Sequence, residues 1–152
     1  MSILVPLLMA LAAPHPNDRL FDAPAEISAV RPLDGQPLWV VMSRCAKARY
    51  DDAERLGNSQ FTALDKTMAD SYGMTVEERR AQEMDEHETV VKRYLAIAIQ
   101  SVADDRGIEI EDANAFVLEQ FPQAEPLRIT FSGATGFATD ACPFIADLVE
   151  PA

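Results

Sequence analysis

A chain of 152 residues with 48% hydrophobic and 25% charged side chains has the composition of one globular domain and not of a disordered protein. Its 25 acidic side chains outnumber the 13 basic ones and give a formal net charge of −12. This charge repels phosphate backbones and anionic lipid headgroups, so we predict no nucleic-acid partner and no binding to a membrane surface.

The first sixteen residues, MSILVPLLMALAAPHP, contain the most apolar run of the chain, at 3–13. A membrane-spanning helix needs roughly 20 apolar residues, so we predict no stable membrane span. A short apolar run followed by the A-x-A-like site at 10–12 is typical of a secretory signal. We therefore interpret residues 1–12 as a signal peptide and expect a periplasmic or secreted protein. No Lys or Arg precedes the run, which leaves an N-terminal core helix in a cytoplasmic protein as the alternative.

Residues 13–37 form a predicted proline-rich arm ahead of a helical domain at 38–152. Half of the ten prolines fall in this arm, and that density favours irregular structure over one long element. Within the arm we expect a short helix that is capped by Asp22, has Pro24 in its first turn and ends at Pro32.

The helical domain is predicted to contain four main helices, because apolar residues recur there at spacings of three or four. The first helix begins at Leu38 and ends at Gly57. The second is capped by Asn58 or Ser59 and is closed by Gly73. Its apolar stripe consists of four residues: Phe61, Leu64, Met68 and Tyr72.

The third predicted helix is the longest element of the chain. Thr75 and Glu78 form a capping box at its start, and Gly107 ends it after Arg106. A helix of this length extends ~47 Å at 1.5 Å per residue. Its early half is strongly charged, so only the later half, YLAIAIQSVA, is expected to lie in the middle of the fold.

The remaining segments are shorter. The fourth helix covers about 110–121, and Pro122 stops it. Residues 127–139 are compatible with a minor β-hairpin or with an irregular loop. Asp140 then caps a last short helix that ends at Val149. The predicted fold class is therefore all-α, a small bundle with a proline-rich arm and a short C-terminal helix.

Two cysteines, Cys45 and Cys142, are present in the chain. In an exported protein a single pair of cysteines predicts one disulfide, which here would attach the C-terminal helix to the bundle. In a cytoplasmic protein they would instead be two buried thiols. The chain has no C-x-x-C motif, so a redox enzyme is not expected.

His87 is the one histidine of the helical domain, in the stretch EMDEHETVV. The zinc-protease motif H-E-x-x-H is excluded because Val91 occupies the position of the second histidine. Glu83 and His87 share one helical face, but two ligands without a third make a poor metal site. We predict no metal, no cofactor and no catalytic residues.

Four side chains with polar tips on apolar stripes could line a pocket between the helices: Trp39, Tyr50, His87 and Tyr94. Since no catalytic set is found, the leading hypothesis is an exported, non-enzymatic protein that acts by contact with an unknown protein partner. The alternative is a helical bundle that binds a small ligand or a metal, with His87 as its polar anchor.

Overall fold

The structure is a computed structural model that describes residues 15–132 and 136–150. The predicted signal peptide lies outside the described residues. Within these residues there are five α-helices: α1 Leu38–Asn58, α2 Ala63–Ser71, α3 Val76–Arg106, α4 Ile110–Gln120 and α5 Ala141–Val149. The same residues form two short 3-10 helices and two short strands: Ser28–Leu33, Phe121–Gln123, β1 Thr130–Ser132 and β2 Ala138–Asp140. The predicted helical bundle is confirmed.

The two longest helices, α1 and α3, form the framework of the fold and run antiparallel. At one end, Gly57 of α1 lies against the side chain of Met84. At the other end, the guanidinium of Arg106 lies over the Trp39 ring, 5.8 Å from the ring centroid. Among the described residues, no helix is long and apolar enough to cross a membrane.

The hydrophobic core lies at the end of the framework where α4 and α5 pack. The buried residues of α3 all fall in its later half: Tyr94, Ile97, Ala98, Val102 and Ala103. This confirms the prediction that the charged early half lies outside the core. The capping box of Thr75 and Glu78 is present, and Gly107 ends α3 with a φ of 62°.

The C-terminal segment is a hairpin followed by α5. Strands β1 and β2 pair antiparallel, with Phe131 opposite Thr139, so the hairpin alternative is the one observed. Asp140 caps α5 by accepting a hydrogen bond from the backbone N–H of Cys142 at 3.1 Å. Cys142 is bonded to Cys45 of α1, with a Cα–Cα distance of 5.6 Å. The predicted disulfide is confirmed.

The N-terminal arm differs from the prediction. No helix begins at Asp22; instead, a 3-10 helix spans Ser28–Leu33 and includes Pro32. The reason is that the backbone near Asp22 is already paired across the arm. The N–H of Phe21 donates to the carbonyl of Gln36 at 2.7 Å, and the N–H of Ala23 donates to the Asp34 carboxylate at 3.0 Å.

The arm is attached to the bundle by Asp18, whose side chain is fully buried. Its carboxylate accepts hydrogen bonds from Nε1–H of Trp39 at 2.9 Å and from Nε–H and Nη2–H of Arg106 at 2.9 and 3.0 Å. The backbone N–H of His15 donates to it at 3.0 Å. The Arg106 guanidinium also lies 4.4 Å from the ring centroid of Phe116. One buried carboxylate thus joins the arm to α1 and α3.

The cap of α2 also differs from the prediction. Ser59 ends α1, because its N–H and its hydroxyl both donate to the carbonyl of Leu56, at 3.3 and 2.9 Å. The N-cap of α2 is Thr62, which forms a capping box with Asp65. Asn58 and Ser59 therefore belong to the end of one helix and not to the start of the next.

Candidate protein-binding surface

The apolar stripe of α2 faces solvent. The exposed fractions of its side chains are 45% for Phe61, 69% for Leu64, 37% for Met68 and 63% for Tyr72. We call these four residues the α2 stripe. Leu64 and Met68 lie in α2, Phe61 precedes it and Tyr72 is its C-cap. All four are exposed, although large apolar side chains at helical spacing normally face a core.

The orientation of α2 explains this exposure. Within Ala63–Ser71, all of which the structure describes, Ala69 alone is buried. Asp65, one turn earlier on the same side, pairs with Arg80 of α3. Leu64 and Met68 each precede these residues by one position, which is about 100° around the helix. The helix therefore packs on α3 through a small and a polar residue and leaves its apolar side open.

Two neighbouring arginines of α3 hold the ends of the α2 stripe. The guanidinium of Arg80 lies 4.1 Å from the ring centroid of Phe61, and that of Arg79 lies 4.8 Å from the ring centroid of Tyr72. Arg80 also donates a hydrogen bond to the carbonyl of Ser59. Each exposed cation–π contact stabilises by about 0.5–1 kcal/mol. Both aromatic rings are therefore held at the surface, with Leu64 and Met68 open between them.

A second apolar surface lies on the other flank of α3. It is an open groove of about 630 Å³ between α1 and α3, with Tyr50 and Met84 among its lining residues and Glu88 and Lys92 at its rim. The Tyr50 ring contacts the ring of Phe121 edge to face, at a centroid distance of 5.6 Å. The charged half of α3 thus lies between two exposed apolar surfaces.

The four residues that we predicted to line one pocket lie in different parts of the structure. Trp39 is buried and lines a cleft at the start of α1, whereas Tyr50 lines the groove described above. Eleven positions, or about 16 Å along α1, separate the two residues. Tyr94 is buried, and His87 lies two turns earlier on the same side of α3. Trp39 and Tyr50 therefore belong to two different cavities.

His87 lies at the interface of α1 and α3, next to a cation. Its Nδ1 atom is buried and has no hydrogen-bond partner among the described residues, and neither has the buried Nε of Arg49. Burial and the charge of Arg49 lower the pKa of His87, although Asp52 and Glu83 act in the opposite direction. The positive charge of Arg49 also disfavours a metal cation there. In the described ranges no three His, Cys, Asp or Glu side chains are grouped so that they could hold a metal ion.

Comparison with known proteins returned no relationship: no family model, no curated protein and no solved structure matches the chain. A functional assignment therefore depends on the surfaces described above. Sequence reasoning had identified the apolar spacing of α2 but had not assigned a role to the arginines beside it. Arg79-Arg80 is one of two adjacent basic pairs in the chain, the other being Lys92-Arg93, so this signal alone did not single out the two arginines beside α2.

Proposed function

We propose that this is a small exported, non-enzymatic protein that acts by binding another protein through the α2 stripe. The observation that carries the proposal is the exposure of four large apolar side chains along α2 and at its ends, with Leu64 and Met68 in the helix, Phe61 before it and Tyr72 as its C-cap. Contiguous exposed apolar surface of this kind marks interaction sites in soluble proteins. Aromatic residues, Met and Arg are also the side chains that are enriched in protein interfaces, and the stripe with its two arginines contains all of them.

The charge around the α2 stripe defines the kind of partner. Exposed acidic side chains lie on both neighbouring elements, at Asp70 of α2 and at Glu77 and Glu78 of α3. The chain as a whole has a formal net charge of −12. Complementary charge at the rim speeds association and selects the partner. The expected partner is therefore a different protein that presents an apolar surface flanked by Lys or Arg.

Export is supported by two independent features. The first is the signal-like pattern at 1–12, and the second is the disulfide between Cys45 and Cys142, a bond that persists mainly in oxidising compartments. Peptide mapping of the native protein without reduction tests both features together. We expect an N-terminus near Ala13 and a linked peptide that contains both cysteines. Free thiols together with an intact Met1 would contradict export.

A photo-crosslinking amino acid placed at Leu64 tests the binding surface in the native host. The matched control is Leu118 on α4, which is also exposed but lies outside the stripe. We expect one adduct of defined mass from position 64 and none from position 118. Because Met68 is exposed, Met68→Glu should abolish the adduct and leave the free energy of unfolding within about 0.5 kcal/mol of the parent.

Three results would overturn this proposal. The first is an equal adduct from position 118, since crosslinking would then not depend on the stripe. The second is an adduct that survives Met68→Glu. The third is an adduct with the mass of two copies of this chain, which would assign the stripe to self-association and not to a different protein.

A further inference from the structure

A cleft at the start of α1 has the size and composition of a small-molecule site. Its volume is about 310 Å³, and its lining residues include Trp39, Val40, Arg44, Ala124 and Glu125. Ligand sites are typically clefts of about 300–1,000 Å³ with mostly apolar walls and a few polar groups. The cleft lies between α1 and the segment after α4, and none of its lining residues belongs to the α2 stripe. A ligand site in this cleft is therefore independent of the function proposed above.

Arg44 supplies the positive charge of this cleft. Its Nε–H donates to the backbone carbonyl of Glu125 at 3.1 Å, and Nη1–H donates to the side-chain amide oxygen of Gln36 at 3.2 Å. Both acceptors are uncharged. No carboxylate of the described residues forms an ion pair with Arg44.

The two hydrogen bonds of Arg44 leave part of its guanidinium available. The group has five N–H donors in a planar fork, and within the described chain Nη2 makes no hydrogen bond. The Nη1–Nη2 edge of a guanidinium matches the two oxygens of a carboxylate, which it binds bidentately. Its bonds to Glu125 and Gln36 hold the side chain in place.

The wall of the cleft is held in place as well. Trp39 is buried, and its indole N–H donates to the Asp18 carboxylate at 2.9 Å. The hydroxyl of Ser43 donates to the backbone carbonyl of Trp39 at 2.7 Å. Neither group can turn away from the cleft without losing a buried hydrogen bond. An apolar ligand body would therefore meet a fixed aromatic wall.

We propose that this cleft binds a small monocarboxylate with an apolar body, the carboxylate on Arg44 and the body against Trp39 and Val40. Glu125 also lines the cleft. Its negative charge repels any anion and repels a ligand with two negative charges more strongly, so a single carboxylate on Arg44 is favoured over a dianion. The same chemistry is offered by a free carboxylic acid and by the C-terminus of a peptide with an apolar last residue.

Intrinsic fluorescence provides the test, because Trp39 is the single tryptophan of the chain. The full-length oxidised protein is titrated with benzoate and with hexanoate, and in parallel with benzamide and hexanamide as uncharged controls. We expect a saturable fluorescence change for the carboxylates, with binding about ten-fold or more tighter than for the amides. Acetyl-Gly-Phe with a free or an amidated C-terminus distinguishes the peptide source from the free acid.

Substitutions locate the binding in the cleft. Arg44→Gln should weaken carboxylate binding about ten-fold or more and leave amide binding unchanged. Arg19→Gln is the matched control, since Arg19 is exposed and does not line this cleft. Ala124→Phe fills the cleft and should abolish binding of both ligand types. If Arg44→Gln does not fold, Arg44→Lys keeps the charge, removes the fork and should still weaken carboxylate binding.

The proposal is overturned by any of three results. These are the absence of a saturable change up to the solubility limit of the carboxylates, equal affinity for carboxylates and amides, or unchanged carboxylate affinity in the folded Arg44 variant.

Discussion

Asp18 adds a charged link between the N-terminal arm and the bundle, beside the buried apolar residues Phe21, Val30 and Leu33 of the arm. Burial raises the pKa of its carboxyl, but the hydrogen bonds from Arg106 and Trp39 outweigh burial, so that this pKa lies below its ordinary value of 3.8. Above pH 3.8 the ion pair of Asp18 and Arg106 contributes fully to the stability of the folded state. This contribution is lost as the pH falls through the lower pKa that Asp18 has in the folded protein. At neutral pH this carboxylate is therefore ionised, and it is buried and paired with Arg106 and Trp39.

Asp18→Ala is expected to lower the free energy of unfolding by about 3–5 kcal/mol, because it leaves the Arg106 charge buried without its partner. Urea denaturation at neutral pH measures the loss. Asp22→Ala is the matched control, since Asp22 lies in the same arm and is exposed. The control should change the free energy of unfolding by no more than about 0.5 kcal/mol. Equal losses in the two variants would show that the buried pair does not hold the arm.

His87 should make stability depend on pH in the mildly acid range. Its pKa in the folded protein is lowered from 6.5 by burial and by Arg49, so the unfolded chain takes up the proton at a higher pH than the folded chain does. The contribution of His87 to stability is therefore complete above pH 6.5, and it is lost as the pH falls through the pKa that His87 has in the folded protein.

Urea denaturation at about pH 7.5 and about pH 5 tests the predicted direction of this pH dependence. We expect His87→Gln to lose less stability between the two pH values than the parent does. His15→Gln is the control, because His15 is the other of the two histidines and is exposed. A parent and a His87 variant with identical pH dependence would contradict the prediction.

At the scale of elements, the helices of the bundle were predictable, including the short α5 with its Asp140 cap, whereas the short helix predicted in the arm is absent. The start and the end of α3 follow from the capping box at Thr75 and from Gly107, which are local signals within a few residues of each boundary. The helix predicted at Asp22 is absent because Gln36 and Asp34 take up the backbone donors there. That pairing is between segments, and no local pattern reveals it.

The exposure of the candidate binding surface also depends on contacts between elements, which no local sequence pattern reveals. The spacing of Leu64 and Met68 predicted an apolar stripe on α2, and the stripe is present. The side of the helix that meets α3 carries the buried Ala69 and Asp65, and Asp65 pairs with Arg80 of the other helix. Periodicity therefore identified the surface, and only the packing of the two helices showed that it is exposed.

Substitution of two glycines near helix ends should change the free energy of unfolding in opposite directions. Gly107 has a left-handed φ of 62°, so Gly107→Ala should destabilise the protein by about 1 kcal/mol. Gly57 lies inside α1, and a Cβ atom there would meet Met84 at an ordinary contact distance of 3.6 Å. Gly57→Ala should therefore stabilise by about 0.5–1 kcal/mol. Thermal or urea unfolding compares the two variants, and two changes of the same sign would be inconsistent with these backbone assignments.

At the scale of the whole molecule, the disulfide between Cys45 and Cys142 is the largest single constraint on the unfolded chain. The two residues are 97 positions apart, and closing a loop of that length stabilises by about 4–5 kcal/mol in the chain-entropy model. Arg93 adds a second link between α3 and α5, through ion pairs with Asp147 at 2.8 Å and Glu150 at 2.5 Å. These ion pairs are partly exposed and contribute little by comparison.

Reduction should lower the free energy of unfolding by about 4–5 kcal/mol. Urea denaturation with and without dithiothreitol measures the change. The double variant Cys45→Ala and Cys142→Ala should match the reduced parent and show no response to dithiothreitol. A reduced parent as stable as the oxidised one would mean that the bond does not constrain the unfolded chain.

The distance along the chain between Cys45 and Cys142 also sets the order of events during synthesis. At about 5–20 residues per second, Cys45 emerges roughly 5–20 s before the cysteine it must bond to. Until Cys142 has reached the same oxidising compartment, the Cys45 thiol can exchange only with thiols or disulfides of other molecules. Asp18 is likewise synthesised before its ion-pair partner Arg106, which lies 88 positions later in the chain. Because the chain has two cysteines, one intramolecular bond is available, and an incorrectly paired product can only be a mixed disulfide with a second molecule.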